Sequence, residues 1–199
     1  MKKAENTGAN RFRPGLNRAE RSRKQASGVA LSSVLVALTL IFSYVEMLIP
    51  FNFGVPGIKL GLSNLVVLVA LYVLGPGYAF VINMVRIMLS GLLFSGLSAM
   101  LYSLSGGLLS FLVMLVLMKS RLFSPVGVSL GGGVFHNVGQ LLVAALVTET
   151  VKIFLYLPVL TVAGTVTGTL LGFAAALILR RMGRLPEWNV PMGTGTDTD

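Results

Sequence analysis

Arg86 is the residue of this sequence that most suggests a functional site. It lies eight or nine residues into an apolar stretch that begins near Tyr78. At 1.5 Å per helical residue, this places it about 13 Å along the helix axis from the start of that stretch. A charged side chain in hydrocarbon costs at least ~2.5 kcal/mol unless it is paired or faces water. Asn83 and Ser90, three residues before and four after, share its helical face. A structural pair with a helix carbonyl or a glutamate would explain this arginine, but we favour a functional side chain that lines a cavity.

The single histidine, His136, stands at a similar depth in a second apolar stretch, with Gln140 four residues later on the same helical face. Asn137 is its neighbour, and Asn64 adds an amide in another stretch. Hydrogen bonds between helices or contacts with a ligand would both explain these groups. We predict a modestly cationic pocket for a small polar or anionic molecule. Its predicted ligand-binding residues are Asn64, Asn83, Arg86, His136, Asn137 and Gln140.

Several kinds of catalysis lack the residues that they need. A lone histidine is a poor metal site, and the absence of cysteine removes thiol chemistry. No G-x-x-x-x-G-K-[ST] loop is present to bind ATP. Magnesium-diphosphate chemistry needs clustered carboxylates, whereas the only aspartates are Asp197 and Asp199. We therefore predict a protein that is not an enzyme and that binds no metal or cofactor.

The elements that position these residues must be membrane helices. Hydrophobic residues make up 54% of the 199 residues and charged residues 12%, with a mean hydropathy of +0.82. A span needs about 20 apolar residues. Charge-free windows of 21 to 32 residues satisfy this length, at 25–45, 60–85, 87–118, 122–148 and 153–179. The alternating pattern of a membrane β-barrel is absent.

We predict six transmembrane helices, in a domain of residues 26–182. Their approximate bounds are 26–49, 58–74, 78–94, 97–118, 126–148 and 154–181. Residues 1–25 are predicted to form a disordered basic tail, and residues 183–199 a polar tail. Eight of the sixteen Lys and Arg residues precede the first helix. This favours cytoplasmic termini in a bacterial cell membrane, with contacts to anionic lipid, over binding of nucleic acid.

Two further groups of residues are predicted to lie at the surface of the bundle. The outer rim of the pocket carries Glu46, Asn52, Lys59 and Glu149, which are also typical of ordinary charges and amides at a membrane interface. One face of the first helix carries small residues at helical spacing, which permit the close approach of another helix. They are Ala26, Ala30, Ser33 and Ala37.

The motif P-G-I-K-L-G-L-S-N at residues 56–64 opens the second helix. With this motif the chain resembles the family labelled heptaprenyl diphosphate synthase component I, also called Gx transporter, over about residues 28–182. That family in turn resembles the substrate-binding S components of energy-coupling factor (ECF) transporters. The resemblance implies six helices with cytoplasmic ends, a coupling subunit that docks on the small face of the first helix, and uptake driven by partner ATPases. Ser33 departs from an all-alanine face.

Three functions remain open from the sequence. The first is a substrate-binding subunit for the uptake of a small polar or anionic molecule. The second is a non-catalytic membrane partner of a soluble prenyl diphosphate synthase subunit in isoprenoid or menaquinone synthesis. The third is a membrane scaffold without a ligand.

Overall fold

The computed structural model describes residues 18–48 and 61–183, and its regular structure in these ranges is entirely helical. The α-helices are α1 (Arg18–Leu48), α2 (Leu62–Val73), α3 (Pro76–Ser90), α4 (Gly96–Ser120), α5 (Pro125–Thr148) and α6 (Leu157–Arg181). A π-helical turn (Gly91–Ser95) joins α3 to α4, and a 3-10 helix (Val151–Tyr156) precedes α6. The all-helical class predicted from the sequence is confirmed.

Long apolar stretches dominate the described chain. Four of them are long and apolar enough to cross a membrane, namely Gln25–Leu48, Pro76–Ser120, Pro125–Thr148 and Val151–Arg181. The apolar helix α2 is shorter, with 12 residues. Large aliphatic side chains point outwards, including Leu146 and Leu155, which are more than three-quarters exposed. Such a surface is compatible with a membrane protein, in which lipid takes the place of water around the helices.

Proline, glycine and serine mark where the helices begin. Each of α3, α5 and α6 has a proline in its first turn, where the missing N–H is not needed. Gly61 precedes α2 with a φ of +81°, a conformation that glycine adopts without strain. The hydroxyl of Ser124 caps α5 by accepting a hydrogen bond from the Gly127 N–H at 3.2 Å.

The chain reverses direction at Gly96, where φ is +78° and ψ is 169°. On either side of this reversal, the side chain of Asn83 donates to the carbonyl of Gly107 at 3.1 Å. A Cβ atom at Gly91 would lie 2.6 Å from the side chain of Met100. The two contacts show that α3 and α4 form an antiparallel hairpin within the apolar stretch Pro76–Ser120.

Most of the described basic side chains, though not Arg86 or Lys152, lie at one end of the helical bundle. Leu31, Val73 and Ile178 line one cavity, so the first part of α1, the end of α2 and the end of α6 lie together. A Cβ atom at Gly172 would lie 2.8 Å from the Cα of Val126, which adds the start of α5 to this end. We call it the basic end, after its exposed residues Arg23, Lys119, Arg121, Arg180 and Arg181.

The helices differ in how closely they pack. In α2, Val67, Leu68 and Ala70 are fully buried, which makes it the central helix of the described bundle. The helices α5 and α6 touch backbone to backbone, since a Cβ atom at Gly133 would lie 2.6 Å from the carbonyl oxygen of Gly164. The outer helix α1 is largely exposed.

The helix bounds differ from the predicted ones mainly at the start of the first and last helices. Helix α1 begins at Arg18, so residues 18–25 are helical although their charge predicts a disordered tail. Their sequence, RAERSRKQ, is rich in helix-forming Arg, Ala, Glu, Lys and Gln. The predicted helix 58–74 corresponds to α2, and residues 58–60 lie outside the described residues. In the predicted helix 154–181, residues 154–156 belong to the 3-10 helix.

Candidate functional site

Arg86 lies in the middle of α3 and is 5% exposed. Its guanidinium donates from Nη1 to the hydroxyl of Ser63 and from Nη2 to Oδ1 of Asn83 at 2.9 Å. A longer contact of 3.5 Å joins Nη2 to Oδ1 of Asn64. The Nε atom has no hydrogen-bond partner within the described chain. Arg86 thus connects α3 to the first turn of α2 through Ser63 and Asn64, and Asn83 holds the guanidinium from within α3.

Asn83 extends these contacts to α4. Its Oδ1 accepts from Arg86, while its Nδ2 donates to the carbonyl of Gly107. Gly107 allows this close approach, since a Cβ atom at position 107 would lie 2.6 Å from Cδ1 of Ile87, whose side chain would have to move. The hairpin of α3 and α4 therefore fixes the Asn83 amide, and the amide in turn orients the guanidinium.

Glu46, near the end of α1, is buried and belongs to the same region. Its carboxylate accepts a hydrogen bond from the N–H of Gly61, immediately before α2. The carboxylate also interacts electrostatically with Arg86. A negative charge at this helix start is further stabilised by the helix dipole. Glu46, which the sequence predicts for the outer rim, is thus buried beside the start of α2.

His136 and Gln140 approach the site from α5. Both are buried, and both lie against Gly106 of α4, where a Cβ atom would be 2.7 Å from Cγ of Gln140 and 3.1 Å from Cε1 of His136. The imidazole also lies beside Gly61, 4.0 Å from the position of a Cβ there. Neither amide atom of Gln140 has a hydrogen-bond partner in the described chain. We name these groups, which are buried except for the half-buried Asn64, the polar network, comprising Glu46, Ser63, Asn64, Asn83, Arg86, His136 and Gln140.

Asn137 points away from the polar network. Its Nδ2 donates to the carbonyl of Leu160 in α6 at 2.8 Å. One residue along a helix is a rotation of about 100°, which explains why the neighbour of His136 faces a different helix. The structure therefore gives Asn137 a partner in the α5–α6 interface, apart from the other predicted ligand-binding residues.

The remaining predicted residues lie at the surface or outside the described chain. Glu149 is exposed and ends α5 with a φ of +50°, while Asn52 and Lys59 lie outside the described residues. The four small residues of α1, at positions 26, 30, 33 and 37, are all exposed. They remain available for contact with lipid or another helix.

Ser63 is the network residue that sequence reasoning missed. Its neighbour Asn64 drew attention as an amide, while a serine in an apolar helix commonly bonds to its own backbone. The signal available was its place in the first turn of α2, two residues after Gly61. Recognising it required knowing that α3 packs beside that turn.

Two cavities flank α1, and neither is lined by the polar network. One, of about 210 Å³, lies between α1, α2 and α6, and the other, of about 680 Å³, lies between α1 and α3. Within the described chain, no three His, Cys, Asp or Glu residues lie close enough to hold a metal ion. The network offers hydrogen-bond donors and acceptors, and two opposite charges, Glu46 and Arg86, that interact electrostatically.

Comparison with known proteins identifies the family. The sequence model for heptaprenyl diphosphate synthase component I matches residues 35–178. The chain belongs to this family. No curated protein and no solved structure matches it.

The residues that the component I model matches include the whole polar network but only part of the basic end. All seven network residues fall within residues 35–178, as does Asn137. The match begins after Ser33 and ends before Arg180. The buried polar groups thus belong to the part of the chain that the family model describes, whereas most of the basic end does not.

Proposed function

We propose that this chain is the membrane-embedded, non-catalytic component of a prenyl diphosphate synthase. The family match over residues 35–178 carries the proposal, because the family's name implies a second synthase component. The composition supports a non-catalytic role, since magnesium-diphosphate chemistry needs clustered carboxylates and the only aspartates are Asp197 and Asp199. Catalysis then resides in a soluble, aspartate-rich partner, which this chain holds at the membrane beside its apolar product.

We further propose that α1 to α6 each cross a bacterial cell membrane, with both ends of the chain in the cytoplasm. The reversal at Gly96 supports two passes within the 45-residue stretch Pro76–Ser120. The shared location of the basic residues supports the orientation, because cytoplasmic ends carry an excess of Lys and Arg. Introduced cysteines test it, since the chain has none of its own. Thr150→Cys should react with an impermeant thiol reagent in intact cells, and Ser120→Cys only after permeabilisation.

Co-purification tests the synthase proposal. The chain, tagged and extracted from the membranes of its own cells, should bring with it a soluble subunit that mass spectrometry identifies as an aspartate-rich prenyl synthase. A tagged membrane protein of another family, expressed at the same level, is the control. Recovery of equal amounts of the synthase with both proteins, or with neither, would overturn the proposal.

The polar network favours a second candidate, a substrate-binding subunit for uptake. Buried polar groups without partners are costly in an apolar environment. Among the described residues, the Nε of Arg86 and the amide of Gln140 have no hydrogen-bond partner. A small anionic or polar ligand would satisfy them. In this candidate the exposed small face of α1 docks an ECF-type coupling subunit, and separate ATPases supply the energy.

Ligand binding by the purified chain distinguishes the two candidates. A compound present at 100 times its dissociation constant should stabilise the protein by about 2.7 kcal/mol. A thermal-shift panel of vitamins, flavins and isoprenoid diphosphates is therefore compared on wild type and Arg86→Gln. A vitamin that stabilises only wild type would favour uptake. If no compound stabilises the wild type alone and a synthase co-purifies with the chain, the component I role is favoured.

A further inference from the structure

Helix α1 is fastened to the bundle mainly in its second half. Of the α1 side chains that the structure describes, only three are buried, namely Thr39, Ser43 and Glu46. All three are polar, and their spacing of four and three residues places them on one face of the helix. The carboxylate of Glu46 accepts a hydrogen bond from the N–H of Gly61. The buried face of α1 therefore ends in a residue of the polar network.

Two contacts align α1 with α3. The rings of Tyr44 and Phe94, the latter in the π-helical turn after α3, have centroids 5.3 Å apart. Nearer the basic end, a Cβ atom at Gly28 would lie 2.9 Å from the hydroxyl oxygen of Tyr78. Each contact joins residues fifty positions apart in sequence (44 and 94, 28 and 78), so the two helices run side by side in the same direction. By this offset, Arg86 is level with position 36 of α1.

The larger of the two cavities reaches the same level. It has a volume of about 680 Å³ and extends along α1 from Val29 to Val36 and along α3 from Gly77 to Val85. Val85 immediately precedes Arg86, and the buried Thr39 lies about one helical turn beyond Val36. The buried face of α1 thus begins where the cavity ends.

The other side of the same half of α1 is also loosely packed. The smaller cavity, of about 210 Å³, is lined there by Leu31, Leu35 and Leu38. This half of α1 therefore lies between two cavities. Segments with few buried contacts are the ones that open most readily in a folded protein, and little packing on either side opposes a movement of this helix.

We propose that α1 is a gate to the polar network. When α1 moves away from α3, the contact between Tyr44 and Phe94 breaks and the larger cavity extends to Arg86. The inference rests on the second candidate function, ligand binding by the network, and gives that ligand a route. It does not depend on the synthase partnership.

Spin labels on introduced cysteines measure the movement in the full-length protein in nanodiscs, since the chain has no cysteine of its own. One pair joins Ile41→Cys on α1 to Val162→Cys on α6. The control pair keeps Val162→Cys and replaces the first label by Leu97→Cys on α4. All three positions are exposed. The α1 pair should show two distances and the control pair one.

The ring contact gives a way to shift the two populations. Tyr44→Ala should raise the ratio of the open to the closed distance by about two- to twelvefold, which corresponds to the usual contribution of an aromatic pair. Phe94→Ala removes the same contact from the other side and should act alike, so the test does not rest on one variant. Val45→Ala, at an exposed position of α1, should leave the ratio unchanged.

A thiol reaction shows whether the movement uncovers the buried face. Ser43→Cys, on that face, should react with N-ethylmaleimide only while the gate is open, so Tyr44→Ala should raise its rate by the same factor. Ser110→Cys is the control. Ser110 is fully buried between α4 and α5, where a Cβ atom at Gly132 would lie 3.2 Å from its Oγ, and its rate should not change.

Three results would overturn the inference. They are one unchanged distance for the α1 pair in wild type and both ring variants; an equal change in the control pair, which would indicate loosening of the whole bundle; and movement of α1 without a faster reaction at Ser43→Cys. None of these measurements uses a ligand or a synthase, so the two candidate functions are decided by their own tests. If α1 moves and uncovers Ser43→Cys as predicted but no ligand is found, the gate stands and the second candidate function fails.

Discussion

Two interfaces of this bundle are held together by opposite means. Where α5 meets α6, glycines at positions 133, 164 and 168 bring the two backbones into contact. Where α2, α3 and α4 meet, Arg86 and Asn83 join the helices through side-chain hydrogen bonds. Membrane helices lack a hydrophobic drive towards one another, and these are the two main alternatives to it.

The difference indicates which of the two interfaces has a role besides holding the helices together. The glycine interface has its main polar side chain, Asn137, bonded to a carbonyl of the opposite helix. The polar network contains the opposite charges of Glu46 and Arg86, and in the described part of the chain the Nε of Arg86 and the amide of Gln140 have no hydrogen-bond partner. A purely structural interface needs none of these groups, since well-packed apolar residues would serve it as well. Function is therefore expected in the network and stability in the glycine interface.

The largest expected effect comes from Arg86→Leu. The change leaves the buried Glu46 carboxylate without the positive charge that it faces, and breaking a buried pair in this way costs about 3–5 kcal/mol. Unfolding of the purified protein in mixed micelles measures the loss. Lys152→Leu, at an exposed position, is the control and should stay within about 0.5 kcal/mol of wild type. If the two variants are equally stable, the charge of Arg86 in the polar network does not contribute to the stability of the protein.

Gly168→Ala should destabilise the glycine interface by about 1–3 kcal/mol, the usual range for overfilling a packed site. The added methyl would lie 2.9 Å from the Cα of Leu130, a backbone atom that cannot turn aside. Gly77→Ala makes the same change where nothing lies within 4 Å. Thermal unfolding of both variants gives the comparison. If they unfold at the same temperature, α5 and α6 are not in backbone contact.

The smallest expected effects separate two neighbours on α5. Asn137→Leu removes a hydrogen bond between helices and should cost about 0.6 kcal/mol, and at most about 1.7. Gln140→Met preserves the side-chain volume and removes an amide that bonds to nothing in the described protein, so stability should be unchanged or higher. The same unfolding assay measures both. If Gln140→Met loses more stability than Asn137→Leu, Gln140 and not Asn137 is the residue whose amide stabilises the bundle.

Features that depend on composition and on the period of the helix could be predicted from the sequence. The length and apolar content of the windows predict the all-helical, membrane-compatible class. Asn83 and Arg86 hydrogen-bond as their three-residue spacing suggests. The Ser95-Gly96 break in a long apolar window marks the point where the chain reverses. All of these are local properties.

Features that depend on the packing of distant segments could not be read from the sequence. The burial of Glu46 requires that the end of α1 return to the start of α2, fifteen residues later. The position of Ser63 matters only because α3 lies beside it. Asn137 and His136 are adjacent in sequence yet face different helices. In each case the partner is set by the arrangement of the bundle.

Reconstitution with the soluble synthase subunit tests the central claim most directly. Vesicles that contain the purified chain, and vesicles that contain an unrelated membrane protein, are mixed with the soluble subunit and its substrates, then separated by flotation. We expect the subunit to float with the first vesicles alone and to make prenyl products of altered chain length there. Equal flotation and identical products on both kinds of vesicle would contradict a component I role.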